Sequence, residues 1–278
     1  MYTSSQEGGA VTEAGSMEEN LERAAGLLLA SKYAVALTGA GVSVESGIRP
    51  FRGPGGLWTE HGEPPLDGYQ RFLADPKGDW ERQLRQDQGY LRELYDALGR
   101  ALPNPAHYAL AELEQIGVIK HLITQNVDDL HRAAGSTKLA EIHGNFRKLR
   151  CLQCGTRYER DAISLEVLPP LCPACGGLIK TDGVLFGEPI PLDVLSICQR
   201  ETAAADCMLA AGTTAFIYPA AGFPEYLKRR GGTLIEVDPY ETELTRLCDV
   251  SLRGKAGEVL PQLVRVVKEK LGPAQDRA

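Results

Sequence analysis

Gln125, Asn126 and Asp128 crowd together just after the largely apolar run 118–123, and His143 closes a second short run, 138–142. Amide and carboxylate side chains hold hydroxyls and water, and an imidazole is the side chain best suited to moving a proton near neutral pH. Such groups do chemistry when something gathers them. In open α/β sheets, ligands bind in the crevice outside the carboxyl ends of the strands. The two runs therefore read as buried strands, the first delivering Gln125, Asn126 and Asp128 at its end and the second presenting His143. A polar loop with no such role is the plain alternative.

Upstream, the run 33–37 reads as a strand and leads into Gly39-Ala40-Gly41-Val42-Ser43, with Ser46-Gly47 close behind. A strand, a glycine-rich turn and small residues opening a helix bring backbone N–H groups against a pyrophosphate. The third glycine comes late, at Gly47, so the dinucleotide fingerprint is imperfect and a simple tight turn is the competing reading. Ser43 and Ser46 favour the phosphate reading, because they add hydroxyl donors. Further on, the run 208–211 enters Gly212-Thr213-Thr214, a second turn of this kind. The strand expected over 233–237 ends in Asp238, whose carboxylate can accept from ribose hydroxyls.

Four of the seven cysteines form two pairs, Cys151-x-x-Cys154 and Cys172-x-x-Cys175, with seventeen residues between them. Two such knuckles fit a tetrahedral four-thiolate zinc site. A redox dithiol is the rival, but redox pairs do not normally come doubled at this spacing. A closed four-thiolate set leaves no open coordination position, so the metal is expected to be structural. Cys198, Cys207 and Cys248 stand singly and read as small core residues.

The chain resembles the sirtuin family. The resemblance is carried by Gly39 to Arg52, by Thr124-Gln125-Asn126-Val127-Asp128, by His143-Gly144, by Phe186-Gly187-Glu188, by Gly212-Thr213-Thr214 and by Gly254 to Glu258, and it runs from about residue 17 to 271. It implies NAD-dependent removal of acetyl or other uncharged acyl groups from protein lysine, with release of nicotinamide and 2′-O-acyl-ADP-ribose. His143 is then the general base on a ribose hydroxyl, and Asn126 holds the ribose hydroxyls or a water. Gln125 fixes the ribose and Asp128 orients the nicotinamide end. The implied cofactor contacts also take in Gly39, Ala40, Gly41, Ser43, Gly47, Ile48, Phe51, Arg52 and Trp58, with Gly212, Thr213, Thr214, Asp238 and Ala256 from the second half. The acylated peptide is implied to add as a strand along Val184, Phe186, Gly187 and Glu188, with Phe216 and Tyr218 near the opposite side. The family's zinc falls on Cys151, Cys154, Cys172 and Cys175. An ADP-ribosyltransferase or NAD glycohydrolase using the same cleft is the alternative.

Three departures from the family pattern stand out. Pro50 replaces an aspartate, which removes a carboxylate and a backbone N–H from the nicotinamide end. Thr214 replaces a serine and Asp238 an asparagine. The helical stretch also lacks the Tyr-x-x-Arg pair of sirtuins that prefer acidic acyl groups. Tyr69-Gln70-Arg71 and Tyr90-Leu91-Arg92 have a spacing that does not share a helical face, so uncharged acyl groups are expected; Arg82 or Arg85 is the residue that would upset this.

The elements needed to position these groups are legible as alternating strands and helices, which imply a doubly wound, mostly parallel Rossmann-like sheet. Residues 17–50, 103–144 and 182–271 are assigned to that NAD-binding domain. Into it are inserted a cofactor-binding loop with a helical module, 51–102, and a zinc ribbon, 145–181. Residues 1–16 and 272–278 read as tails, the first as disordered. Ser16 is a candidate N-cap for the first helix, and Asn104-Pro105 opens another whose inner face carries His107. His107 and His131 are expected to pack rather than to catalyse. The net charge of −7 argues against a general nucleic-acid surface and suits a basic, lysine-bearing peptide. No run is long and apolar enough to span a membrane and no secretory signal opens the chain, so a cytoplasmic protein is expected.

Overall fold

The computed structural model describes residues 15–85 and 90–272. The two expected tails fall outside the described residues except for residues 15, 16 and 272, as do the side chains of Tyr90 and Leu91. In chain order the elements are α1 (Met17–Ala30), β1 (Ala34–Thr38), α2 (Leu57–His61), α3 (Gly68–Ala74), α4 (Pro76–Arg85), α5 (Tyr90–Arg100), α6 (Pro105–Gln115), β2 (Ile119–Thr124), α7 (Leu130–Ala133), β3 (Leu139–Glu141), β4 (Lys148–Cys151), β5 (Arg157–Glu159), β6 (Ile179–Thr181), α8 (Leu192–Ala204), β7 (Cys207–Ala211), α9 (Gly222–Arg229), β8 (Thr233–Val237), β9 (Val250–Leu252) and α10 (Ala256–Leu271).

The main sheet is six-stranded and wholly parallel, in the order β3-β2-β1-β7-β8-β9. β1 and β7 are buried along their whole length, and their alternating side chains divide between two cores. Ala34 and Ala36 pack with Leu209 and Ile235 beneath α1, α6 and α10. Val35 and Leu37 pack with Met208 and Leu234 on the face covered by α8 and α9. Parallel strands buried on both faces need continuous apolar runs, which is why these segments stand out in the sequence. The strand order reverses between β1 and β7, so a crevice opens there at the carboxyl ends of the strands.

Local sequence fixes the helix ends. Ser16 accepts from the Glu19 N–H at 3.2 Å while Glu19 accepts from the Ser16 N–H at 2.8 Å, a reciprocal capping box. Asn104 caps α6, and Pro105 occupies its first turn.

Between β3 and α8, the antiparallel sheet β5-β4-β6 carries the two cysteine knuckles. A shared core of Phe72, Trp80, Leu149, Ile163 and Ile179 binds this ribbon to α3 and α4, and the Trp80 indole N–H donates to the Ile179 carbonyl at 3.0 Å. Among the described residues no helix is long and apolar enough to cross a membrane.

Candidate active site

A cavity of about 1130 Å³ occupies the crevice between the two halves of the main sheet. Its floor is made where β1, β2 and β7 end. The turn after β1 is a 3-10 helix, Ala40–Ser46, rather than the opening of a long helix. Close approach explains the tight winding. The Gly41 N–H donates to the Gly212 carbonyl at 2.9 Å, and a Cβ built on Gly41 would lie 2.6 Å from Gly212 Cα. Gly212 itself has φ +57, a conformation that side chains disfavour. The two glycine turns are thus interlocked, and Gly39, Ala40, Gly41, Gly212, Thr213 and Thr214 all line the cavity.

Gln125 spans the floor. Its side-chain amide donates to Thr213 Oγ1 at 2.8 Å, and its backbone carbonyl accepts from His143 Nδ1 at 3.0 Å. A carbonyl can only accept, so Nδ1 carries the proton in neutral His143 and Nε2 is left with its lone pair. His143 is half-buried and lines the cavity. Burial lowers its pKa, and the bond to Gln125 opposes that shift. The imidazole is therefore neutral, with one basic nitrogen, at ordinary pH.

Asn126 is oriented from below. Its Nδ2 donates to the Gly39 carbonyl at 3.0 Å and to Ser43 Oγ at 3.1 Å, so both amide protons are used and Oδ1 is the atom left to accept from a ligand. Ser43, expected to aim its hydroxyl at a phosphate, is 1% exposed and donates instead to Asp128 Oδ2 at 2.6 Å. Ser46 likewise accepts from Asn104 Nδ2 at 3.0 Å. Asp128 is buried behind the wall, where Oδ1 accepts the Leu130 N–H at 3.0 Å. Burial raises its pKa against those two bonds. Ser43, Asp128, Ile48 and Gly47 do not line the cavity; Ile48 packs with Leu98, Ala101 and Leu130.

Beneath this floor lie two neutral histidines with ring centroids 4.8 Å apart. Burial pushes His107 down to about 4 and His131 well below the ordinary imidazole value. His107 Nδ1 accepts the Asn104 N–H at 3.3 Å, while His131 Nε2 meets Thr38 Oγ1 at 2.9 Å. Both are buried and neither lines the cavity.

The roof is the segment 49–62. The Leu57 and Trp58 N–H groups donate to the Pro50 and Phe51 carbonyls at 2.9 and 2.8 Å. Phe51 packs on Trp58 at 4.5 Å and Trp58 on Phe186 at 5.5 Å. The Arg52 guanidinium lies over Trp58 at 4.7 Å and Phe216 at 5.1 Å while pairing with Glu63 at 2.7 Å. Arg49 pairs with Glu60 and Glu93. Pro50 lines the cavity and, having no N–H, offers it no donor.

At the far end Asp238 follows β8 and lines the cavity, with burial raising its pKa and Oδ1 accepting the Tyr240 N–H at 3.0 Å. Ala256 lines it from the start of α10. Val184, Phe186, Gly187 and Glu188 form a side wall, but the Glu188 carboxylate is turned into a buried ion network. Sequence reasoning missed Glu45, the 240–242 loop and Lys255 as lining residues. The loop's place directly after the strand end at Asp238 was the available signal.

The four cysteine Sγ atoms lie within 4.8 Å of one another, with Cys151 to Cys175 at 3.5 Å and Cys154 to Cys172 at 3.7 Å. Tetrahedral zinc with bonds of about 2.3 Å needs sulfurs about 3.8 Å apart. The Gln153 and Cys154 N–H groups both point at Cys151 Sγ, which suits a thiolate. The cluster fits one structural zinc.

Fold and site together define a dinucleotide-binding α/β protein with an inserted four-cysteine ribbon. The Sir2 family model matches residues 39–219. NAD-dependent protein deacylase 1 of Archaeoglobus fulgidus is 47% identical over 243 residues, covering 87% of this chain and 95% of the relative. A mutant Sir2 homologue solved with 2′-O-acetyl ADP ribose has a TM-score of 0.74 at 44% identity, covering 92% of this chain and 99% of that one. A Sir2 protein solved with a p53 peptide and NAD+ has a TM-score of 0.71 at 33% identity, covering 93% and 99%. The chain belongs to the Sir2 family.

Proposed function

We propose that this protein is an NAD-dependent protein-lysine deacylase that removes acetyl and other uncharged acyl groups. The observation that carries the reading is the placing of His143 and Asn126 on one cavity wall, beside the interlocked glycine turns. NAD, when bound, supplies an electrophilic ribose carbon and nicotinamide as leaving group. The Gly39, Gly41 and Gly212 N–H groups are taken by the Ala211, Gly212 and Val237 carbonyls, so Ala40, Thr213 and Thr214 are the residues of the two turns whose N–H groups can turn to its pyrophosphate, and Asp238 accepts from the adenosine ribose. Asn126 Oδ1 accepts from the other ribose or a water. His143 Nε2 takes the proton of a ribose hydroxyl, held to the right tautomer by the Gln125 carbonyl. Asp128 acts through Ser43 to fix Asn126, so its part is positional. The roof aromatics exclude water from the reacting end.

The charge lining the cavity supports uncharged acyl groups. Among the lining residues the cations are Arg52, paired with Glu63, and Lys255, whose Nζ lies 3.5 Å from a Glu258 carboxylate oxygen. Arg71 pairs with Asp67, Arg82 with Asp75 and Asp79, and Arg85 with Glu81, and none of the three lines the cavity. The domain division given above and a cytoplasmic location belong to the same reading; a four-thiolate metal site needs reduced cysteines, which suits that compartment.

The test is one peptide carrying acetyl, a long-chain acyl or succinyl on the same lysine, with nicotinamide and free lysine both measured. Expected is peptide-dependent nicotinamide release matched by deacylation, with succinyl slowest. Nicotinamide release indifferent to the peptide would sink the deacylase reading in favour of a glycohydrolase, and a succinyl kcat/KM above the other two would overturn the acyl preference.

A further inference from the structure

Arg150 on β4 and Lys180 on β6 are register partners, directly opposite on neighbouring antiparallel strands. Like charges so placed repel, and burial makes the repulsion worse. Yet both are buried, Lys180 to 1% exposure. A ribbon that needed only to fold and hold a metal would gain from an apolar pair here. The two cations converge on Glu188, which is itself 2% exposed in its side chain: Arg150 reaches Oε1, and Lys180 reaches Oε2 at 3.1 Å. Oε2 also accepts the Leu185 N–H at 2.9 Å. Lys180 Nζ donates in addition to the Gly183 carbonyl at 2.6 Å. At the other end, Asp182 accepts from Arg150 at 2.8 Å, from Arg157 at 3.1 Å and from the Asn145 N–H at 3.2 Å. The segment 182–188 is thus pinned at both ends by buried charge. Its middle, 184–187, is cavity wall, and the Val184 N–H is tied to the His143 carbonyl at 2.9 Å.

We propose that Lys180 and Arg150 are positioning residues for the acyl-lysine peptide, holding Glu188 so that the backbone of 184–187 stays in the register at which a peptide strand pairs beside His143. The proposal rests on the deacylase reading above. Neither cation lines the cavity, so neither touches substrate. Arg157 serves as the internal control. It shares the network through Asp182 and pairs with Asp193 at 2.7 Å, but makes no contact with Glu188.

The experiment takes the zinc-loaded full chain and measures KM for acyl peptide and for NAD, with melting temperature and zinc content, for wild type, Lys180→Met, Glu188→Gln, the double variant and Arg157→Met. Peptide-dependent nicotinamide release by wild type is the test of the deacylase reading itself, and its absence would fall on that reading alone. Given that release, each single change at 180 or 188 should raise the peptide KM at least ten-fold and leave the NAD KM within two-fold. The double variant, which removes one charge of each sign and keeps an acceptor for Leu185, should recover part of the loss. Arg157→Met should lower the melting temperature with little change in the peptide KM. Should Lys180→Met not fold, Glu188→Gln, nearly isosteric, carries the same decision. Peptide KM values within two-fold of wild type, or shifts in Arg157→Met as large as in Lys180→Met, would reduce the network to a purely structural role.

Discussion

The floor and the roof of the cavity are built by opposite means. The floor is backbone and buried dipoles: interlocked glycine turns, an asparagine fixed by Gly39 and Ser43, and a histidine fixed by a carbonyl. The roof is long side chains partly in water, with Arg49 and Arg52 reaching carboxylates, Glu60 and Glu63, that are 50% and 55% exposed. Buried hydrogen bonds leave an unsatisfied partner when cut, which is costly. Exposed ion pairs contribute little and are screened by salt. The floor should therefore set chemistry and the roof should set access, and substitutions in the two should differ in size and in salt response.

The largest effect belongs to His143. His143→Ala should slow deacylation by about 10²–10⁴, the usual loss on removing a general base, with zinc content unchanged and the fold retained. Activity within a few-fold of wild type would show that another group takes the proton. Next is Gly41→Ala, where the added Cβ meets Gly212 at 2.6 Å and one of the two turns must move. A displacement of this order costs about 10² in a preorganised site, and calorimetry of NAD binding will read it. Unchanged affinity would mean that the turns are not the pyrophosphate cradle.

A third effect separates the layer beneath the floor from the floor itself. His107 holds its proton only below about 4 in the folded chain, because burial disfavours the charge, against about 6.5 unfolded. The unfolded chain therefore binds the extra proton between those values, and stability present above pH 6.5 is lost as pH falls toward 4. Denaturation at pH 6.5, 5.5 and 4.5 should show this slope, and His107→Gln should reduce it, leaving the part that buried His131 contributes. An equal slope in both proteins would remove His107 as its source. The smallest effect lies in the roof. Arg52→Ala gives up one exposed pair and two ring contacts, so the NAD KM should rise only a few-fold, and less in high salt than in low. A loss as deep as that at Gly41 would erase the distinction between floor and roof.

Legibility followed the same division. Strands β1, β2, β7 and β8 were readable to within a residue or two, because parallel strands buried on both faces are mostly apolar, even with Lys120 in β2 and Glu236 in β8. The cysteine pairs were readable because metal geometry fixes spacing. What stayed hidden was direction. Ser43 is a small hydroxyl after a glycine turn, and nothing local says whether it faces ligand or Asp128; the answer depends on β2, which lies far along the chain. Glu188 was read as a peptide contact because it follows Phe186-Gly187, but Arg150 and Lys180 draw its carboxylate inward from a different sheet. The loop at 240–242 carries no periodic signal and is placed by the end of β8 alone.

The neighbours of β1 set the order in which the molecule can be assembled. Its pairing with β2 closes a moderate loop, whereas its pairing with β7 joins Ala34 to Cys207 across the whole helical module and ribbon. Loop-closure entropy must be met before such a distant contact gives anything back, so pairings of this kind form slowly. The Gly41–Gly212 interlock lies at the end of that seam. It cannot exist until the seam has closed, so the proposed cofactor site depends on the most distant pairing that β1 makes. A ligand bound there selects only finished molecules and raises the apparent melting temperature with its concentration.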